Sequence, residues 1–345
     1  MMKTRVLLFL LAFFIIGCKT DREAGAVIED APGERICELS NSEPLGQLRS
    51  FCVVSKDYFA ANTSDSVVLL GSDGRFIRRI GNQGRANGEY IMPWCVRSNG
   101  DNLFVWDADQ LKFIEFDIDG NYISQYQYDS ALNDFRVDGD IVFIYTVGRR
   151  NESVIDILNL KDGTLNGIHP ASDAHKALSH SINGMALDIN NGHLLFATKD
   201  RLDAFSYELD TDEIRLLGSV QSDSFVVLED INDKNLLRNR KKLDASLNGS
   251  SRTVFIYKRE GAIILVSLEG VSERDEKNRL SNDGRYYSLY RLDGKKSTAK
   301  HYRMSSMGSS TLFAEYDGDL YYIVTELDEI DESVYINKLS RKAYK

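Results

Sequence analysis

Basic residues, histidine, proline and cysteine are all scarce in this 345-residue chain, and each shortage excludes something. Lys and Arg number 42 against 52 Asp and Glu, a formal net charge of −10. A nucleic-acid binder carries a basic patch, and a protein held on anionic lipid by charge carries clustered Lys or Arg, so neither partner is expected. Four prolines exclude a disordered Pro-rich chain. Four cysteines without C-x-x-C spacing point to neither a zinc ribbon nor a redox pair. The G-x-S-x-G elbow, the H-E-x-x-H helix and the G-x-x-x-x-G-K-[ST] phosphate loop are all missing, so no catalytic residue, metal ligand or cofactor is assigned. His169, His175 and His180 gather near one linker at spacings that suit neither a helical face nor a metal pattern, and they read as exposed loop residues.

One apolar run stands out, and it lies at the start. Met1 to Lys3 and Arg5 form a short basic stretch, Val6 to Ile16 is unbroken apolar, and Ile15-Ile16-Gly17-Cys18 follows. That order is a signal peptide, and the run falls short of the roughly 20 apolar residues a permanent span needs. Ile15 to Cys18 resembles the lipobox of bacterial lipoproteins. The resemblance implies cleavage after Gly17, a diacylglycerol on the Cys18 thiol and acylation of its new amino group. Each buried methylene contributes about 0.8 kcal/mol, so two or three acyl chains make a stable membrane attachment. Removing residues 1–17 takes away Lys3 and Arg5 and moves the formal charge from −10 to −12. Residues 18–33 are polar and aperiodic, the expected flexible tether, and 34–345 the folded domain. Lys19 followed by acidic residues also resembles the surface-export tag of Bacteroidetes lipoproteins, which implies an outer-membrane and cell-surface location.

The body of the chain is punctuated by Asp-Gly turns between apolar, β-branched and aromatic runs, the pattern of hairpins. The clearest are Asp73-Gly74, Asp119-Gly120, Asp162-Gly163 and Asp293-Gly294, with weaker copies at Leu209 to Asp212 and Lys338 to Arg341. Gly74 to Gly120 spans 46 residues and Gly120 to Gly163 spans 43. A period in the forties with several short strands per unit is the signature of propeller blades. Six units begin near Leu48, Pro93, Asn133, Asn183, Arg252 and Thr311. The last lacks a fourth strand, and Glu34 to Leu39 supplies a spare one. The expected fold is therefore an all-β six-bladed β-propeller of four-stranded antiparallel blades, closed by an N-terminal strand and carrying one short helical insertion. Closure removes exposed strand edges. Gly81, Gly84 and Gly88, then Tyr90 and Pro93, resemble the linker of an NHL repeat. With the unit count and the lipobox, they make the chain similar to the six-bladed, NHL-like propeller lipoproteins of Bacteroidetes.

If strands a to d of each blade run outward from the axis, the d-to-a and b-to-c connections open on one face. That face collects the glycine-rich linker, the insertions Ser219 to Ser251 and Glu269 to Arg285, and the acidic stretch Glu326 to Glu332. Glu229 to Leu243 is the expected helix, with acids near its start and bases near its end. Arg85, Arg238, Arg240 and Lys241 are the candidate binding residues on this face. Trp94 and Trp106 are read as blade packing, and Asp117 to Asn121 as a hairpin turn rather than a calcium loop. Once Cys18 is acylated, Cys37, Cys52 and Cys95 remain, read as small buried hydrophobes. The expected function is non-enzymatic binding of a protein, peptide or glycan by a membrane-anchored lipoprotein. The alternative is a propeller enzyme, similar to lyases and lactonases of related architecture, with a metal held by inward acids or histidines of the central channel.

Overall fold

The computed structural model describes residues 27–39, 48–146, 155–168, 185–190, 192–198, 201–227, 249–270, 273–274, 280–281, 284–294, 296–303, 312–327 and 332–344. In chain order, β1 (Ile28–Asp30) and β2 (Gly33–Glu38) precede the first complete blade. Blade 1 is β3 (Ser50–Ser55), β4 (Tyr58–Asn62), β5 (Val67–Gly71) and β6 (Phe76–Arg79). The two-residue strands β7 (Asn82–Gln83) and β8 (Glu89–Tyr90) form the linker. Blade 2 is β9 (Pro93–Ser98), β10 (Asn102–Asp107), β11 (Lys112–Asp117) and β12 (Tyr122–Gln127). Blade 3 is β13 (Leu132–Asp138), β14 (Ile141–Thr146), β15 (Ile155–Asn159) and β16 (Leu165–Ile168). Blade 4 is β17 (Met185–Asn190), β18 (His193–Thr198), β19 (Asp203–Glu208) and β20 (Glu213–Ser219). Blade 5 is β21 (Arg252–Arg259), β22 (Ala262–Gly270), β25 (Arg285–Asp293) and β26 (Lys296–Arg303), with the small hairpin β23 (Glu273–Arg274) and β24 (Leu280–Ser281) between its second and third strands. Blade 6 begins with β27 (Phe313–Tyr316), β28 (Asp319–Leu327) and β29 (Glu332–Leu339).

The fourth strand of blade 6 is β2, antiparallel to β29 from Gly33 opposite Leu339 to Glu38 opposite Tyr335. The chain's beginning thus completes its last sheet, as the spare strand predicts. Body structure starts earlier than the expected boundary at residue 34. β1 pairs in parallel with β26, Ile28 opposite His301, so the segment crosses from the rim of blade 5 to the rim of blade 6.

Burial explains the strand sequences. Second and third strands lie between two neighbouring blades, so both faces are covered and the sequence runs apolar without alternation, as in Val67 to Gly71 and Leu103 to Trp106. Fourth strands form the rim and are mostly solvated, as in Tyr122 to Gln127 and Glu213 to Ser219. The buried apolar side chains of the described residues separate into six clusters, one between each neighbouring pair of blades. The sixth joins Phe51, Phe59 and Leu70 of blade 1 to Ile323, Ile336 and Cys37 of blade 6, and its existence is what makes the ring closed rather than an arc.

The Asp-Gly turns fall between third and fourth strands. Gly74 sits at φ 80° and Gly120 at φ 84°, the left-handed region that glycine enters at little cost. The weaker copy at Leu209 to Asp212 places Asp212 itself at φ 54°. Lys338 to Arg341 is no such turn. β29 ends there, and the chain enters a 3₁₀ turn, Arg341–Tyr344, whose Ala343 packs into the cluster between blades 5 and 6. That turn is the one helical element of four or more residues among the described residues. The expected helix, Glu229 to Leu243, lies outside them.

Candidate functional site

The inner strands bring one short stretch from every blade to the ring axis. Phe51 to Val53, Arg97 to Asn99, Arg136 and Val137, Asp188 and Ile189, Phe255, and Phe313 to Glu315 line a cavity of about 200 Å³. The polar members of blades 2, 3, 4 and 6 come from the second half of their inner strands, beside the turns into the second strands. The charged part of the cavity therefore lies toward the face opposite the linker and insertions.

Two of its lining arginines share one carboxylate, Asp134. Arg97 Nη2 of blade 2 donates to Asp134 Oδ1 of blade 3 at 2.6 Å, and Arg136 Nη1 donates to the two carboxylate oxygens at 2.9 and 3.0 Å. The Phe135 amide donates at 2.8 Å, and the Cys95 thiol lies 3.7 Å away. Burial alone would push the Asp134 carboxyl up, but Arg136, Arg97 and the Phe135 amide outweigh it and hold it down at about 2. Arg97 Nη1 donates to the Val96 carbonyl at 2.7 Å, and the same Arg136 Nη1 that meets Asp134 also lies 2.8 Å from the Phe135 carbonyl.

Two carboxylates, Asp188 and Glu315, line the cavity itself. Asp188 is 7% exposed, and Glu315 accepts a hydrogen bond from the Gly318 amide. Among the described residues neither has a cation within ion-pair distance. Burial, reinforced by Glu315, raises the Asp188 carboxyl well above its ordinary value against the opposing pull of Arg136. Burial likewise raises Glu315, with Asp317 and Asp319 adding to it. The opposite wall is apolar: the Phe255 and Phe313 rings lie 6.1 Å apart, and the Arg136 guanidinium is 5.9 Å from the Phe255 ring.

Asp134, Asp188, Glu315, Arg97 and Arg136 are all absent from the candidates read from the sequence. The signal was a charged residue interrupting an apolar inner strand, as in Val96-Arg97, Phe135-Arg136, Leu187-Asp188 and Ala314-Glu315. Among the described residues no three His, Cys, Asp or Glu side chains converge closely enough to hold a metal ion.

The expected binding residues are placed as follows. Arg85 is on the linker, exposed, with Nη2 3.3 Å from Asp109 Oδ2. Arg238, Arg240 and Lys241 lie outside the described residues, as do His169, His175, His180 and Cys18. The linker itself is locked by buried hydrogen bonds. The Tyr90 hydroxyl donates to the Ile80 carbonyl at 2.8 Å and accepts from the Val67 amide at 3.1 Å. Asp107 accepts from the Ile91 and Met92 amides. Gln110 donates to the carbonyls of Gly84 and Glu89. Trp106 is fully buried as expected, but Trp94, at the mouth of β9, is 43% exposed, with the Arg49 guanidinium 5.1 Å from its ring. An inner strand has no further strand on its axial side, and Trp94, the second residue of β9, is left open to solvent while Pro93 before it is buried. Asp117 caps a hairpin, accepting from the Asn121 amide and side chain at 2.8 Å each.

Fold and channel define a six-bladed propeller whose axis is lined by ion-paired and unpaired charges. A family model for a six-bladed β-propeller, DUF5128, matches residues 38–232, and the chain belongs to that family. Solved structures of similar shape include a Bacteroides fragilis NCTC 9343 protein described as exported, 11% identical with a TM-score of 0.61 over 90% of this chain and 96% of that one. A DUF4221-family member from Bacteroides vulgatus ATCC 8482 is 12% identical with a TM-score of 0.60 over 91% and 97%. These likenesses establish the fold. A search of the curated proteins finds no match.

Proposed function

We propose that the chain is an exported, lipid-anchored envelope protein that captures a protein, peptide or glycan ligand at its propeller without transforming it. The observation that carries this reading is the chemistry of the axial cavity, in which neither Cys52 nor Ser98, the thiol and hydroxyl of its lining, is paired with a base among the described residues. Cys52 lines it, but burial pushes that thiol up to about 11, so it stays protonated and weakly nucleophilic. Ser98 Oγ donates to the Asn102 carbonyl at 3.0 Å rather than to a base. Asp134 is held ionised between two arginines and takes up no proton near neutrality. The signal peptide and lipobox support export and acylation at Cys18, and the exported Bacteroides protein of the same shape is consistent with an envelope location.

The test is direct binding of the full chain, purified in detergent, to peptide and glycan arrays, with mass spectrometry of every ligand retained. Saturable retention of intact ligand is expected. Conversion of a retained ligand to product would replace this reading with the enzymatic one. The anchor is tested separately: metabolic palmitate label is expected on the wild-type chain and absent from Cys18→Ala, and label persisting in the variant would overturn acylation at that residue.

A further inference from the structure

We propose that the axial cavity seats a cationic head group of the ligand, an alkylammonium, between Asp188 and Glu315 and against the rings of Phe255 and Phe313. This rests on the reading that the propeller captures ligand, and it specifies the chemistry of that capture.

Charge accounting on the inner strands leads to it. Five ionisable groups crowd the axis, two cations against three carboxylates: Arg97 and Arg136 both bond to Asp134, and with all five ionised the group carries a net charge of −1. Asp188 and Glu315 are left over. Asp188 is more than nine-tenths buried, lines the cavity and has no cationic partner among the described residues. A buried carboxylate without a cation is costly, and its two remedies are a proton or a positive ligand. The raised carboxyls of both residues are the mark of the first remedy, which a bound cation would replace. The two acids come from blades 4 and 6, and blade 5 between them contributes Phe255. That ring, with Phe313 beside it, offers the apolar and quadrupolar surface that favours a desolvated organic cation over a hydrated metal ion.

The experiment is isothermal titration calorimetry of the full chain in detergent at neutral pH. The probes are n-pentylammonium, n-pentanol as its uncharged counterpart, and calcium chloride. Saturable one-to-one binding of pentylammonium is expected, at least tenfold tighter than pentanol, with no calcium binding of comparable strength. Asp188→Asn and Glu315→Gln are each expected to weaken it at least tenfold, while Arg215→Ala, in a solvated rim pair, leaves it unchanged. Both acid variants are checked for wild-type circular dichroism and cooperative melting. Equal affinity for the ammonium and the alcohol, undiminished ammonium binding in the folded double variant, no ammonium binding to the wild type, or tighter calcium binding would each overturn the proposal. Array ligands retained equally by wild type and double variant would overturn the cation seat and leave the capture reading standing. Pentylammonium binding without any array ligand would do the reverse.

Discussion

Arg259, at the end of the inner strand of blade 5, places Nη1 2.5 Å from Asp319 Oδ1 of blade 6, and the same nitrogen donates to the Gly318 carbonyl at 2.7 Å. Its guanidinium also lies 4.1 Å over the Tyr344 ring in the C-terminal turn, so one side chain ties the fifth blade, the sixth and the chain's end together. Lys338 pairs with the same aspartate. Arg259 is 6% exposed, and removing it takes one of two cations from Asp319 together with the contacts to the Gly318 carbonyl and the Tyr344 ring. Arg259→Ala is expected to lower stability by about 3 kcal/mol in urea titration, while Arg215→Ala, in a solvated rim pair, changes it by less than about 1 kcal/mol.

Gly74 and Gly163 occupy the same turn position in blades 1 and 3, with φ 80° and 71°. A methyl at Gly74 would run into the Glu38 carbonyl of the closing strand, whereas a methyl at Gly163 meets open space. Gly163→Ala should therefore cost only the left-handed backbone penalty, about 1 kcal/mol. Gly74→Ala should cost clearly more and loosen β2. Amide hydrogen exchange of residues 33–38 is the check, with faster exchange in Gly74→Ala alone.

Acid and alkaline limbs of the stability profile are expected to report different carboxylates. Asp134 has an ordinary value of 3.8 and a native one of about 2, so the unfolded chain takes up its proton first as pH falls. Its contribution, about 2 kcal/mol, is complete above the ordinary value and lost on descending through about 2. Asp188 is raised, so the native state holds its proton more tightly than the unfolded chain. That contribution is present at low pH and lost as pH rises through the raised value. Asp188→Asn should match the wild type in melting temperature near pH 4 and exceed it at pH 8. Asp134→Asn should fall below the wild type at pH 7, with the gap closing toward pH 2.

Cys37, Cys52 and Cys95 are buried and unpaired, and burial pushes their thiols up to about 11, 11 and 12. Native protein at pH 8 should resist a thiol reagent such as DTNB. In denaturant three thiols should react if Cys18 is acylated and four if it is free, so one absorbance reading counts both burial and modification.

The ring was legible because its cause is local and repeated. Asp-Gly turns mark where third strands end, apolar runs mark strands covered on both faces, and the missing fourth strand of the last unit pointed to the spare segment at Glu34 to Leu39. β1 escaped notice because three exposed residues, Ile28–Asp30, carry no periodicity; their pairing with β26 is set by where the closing strand must start. Trp94 misled because strand membership alone does not say whether a residue faces a neighbouring blade or the open mouth of the axis.

Chain order alone determined the blade count, the closing strand, the short turns and the hydrophobic reading of the cysteines, since each follows from spacing and polarity within one unit. The axial site was decided only by the circle itself. Arg97, Asp134, Asp188 and Glu315 are separated by 37, 54 and 127 positions in sequence, and each looks like an isolated polar interruption of a strand. Bending six sheets around one axis brings them within electrostatic reach, and there Arg97 and Arg136 share Asp134 while Asp188 and Glu315 have no ion-pair partner among the described residues.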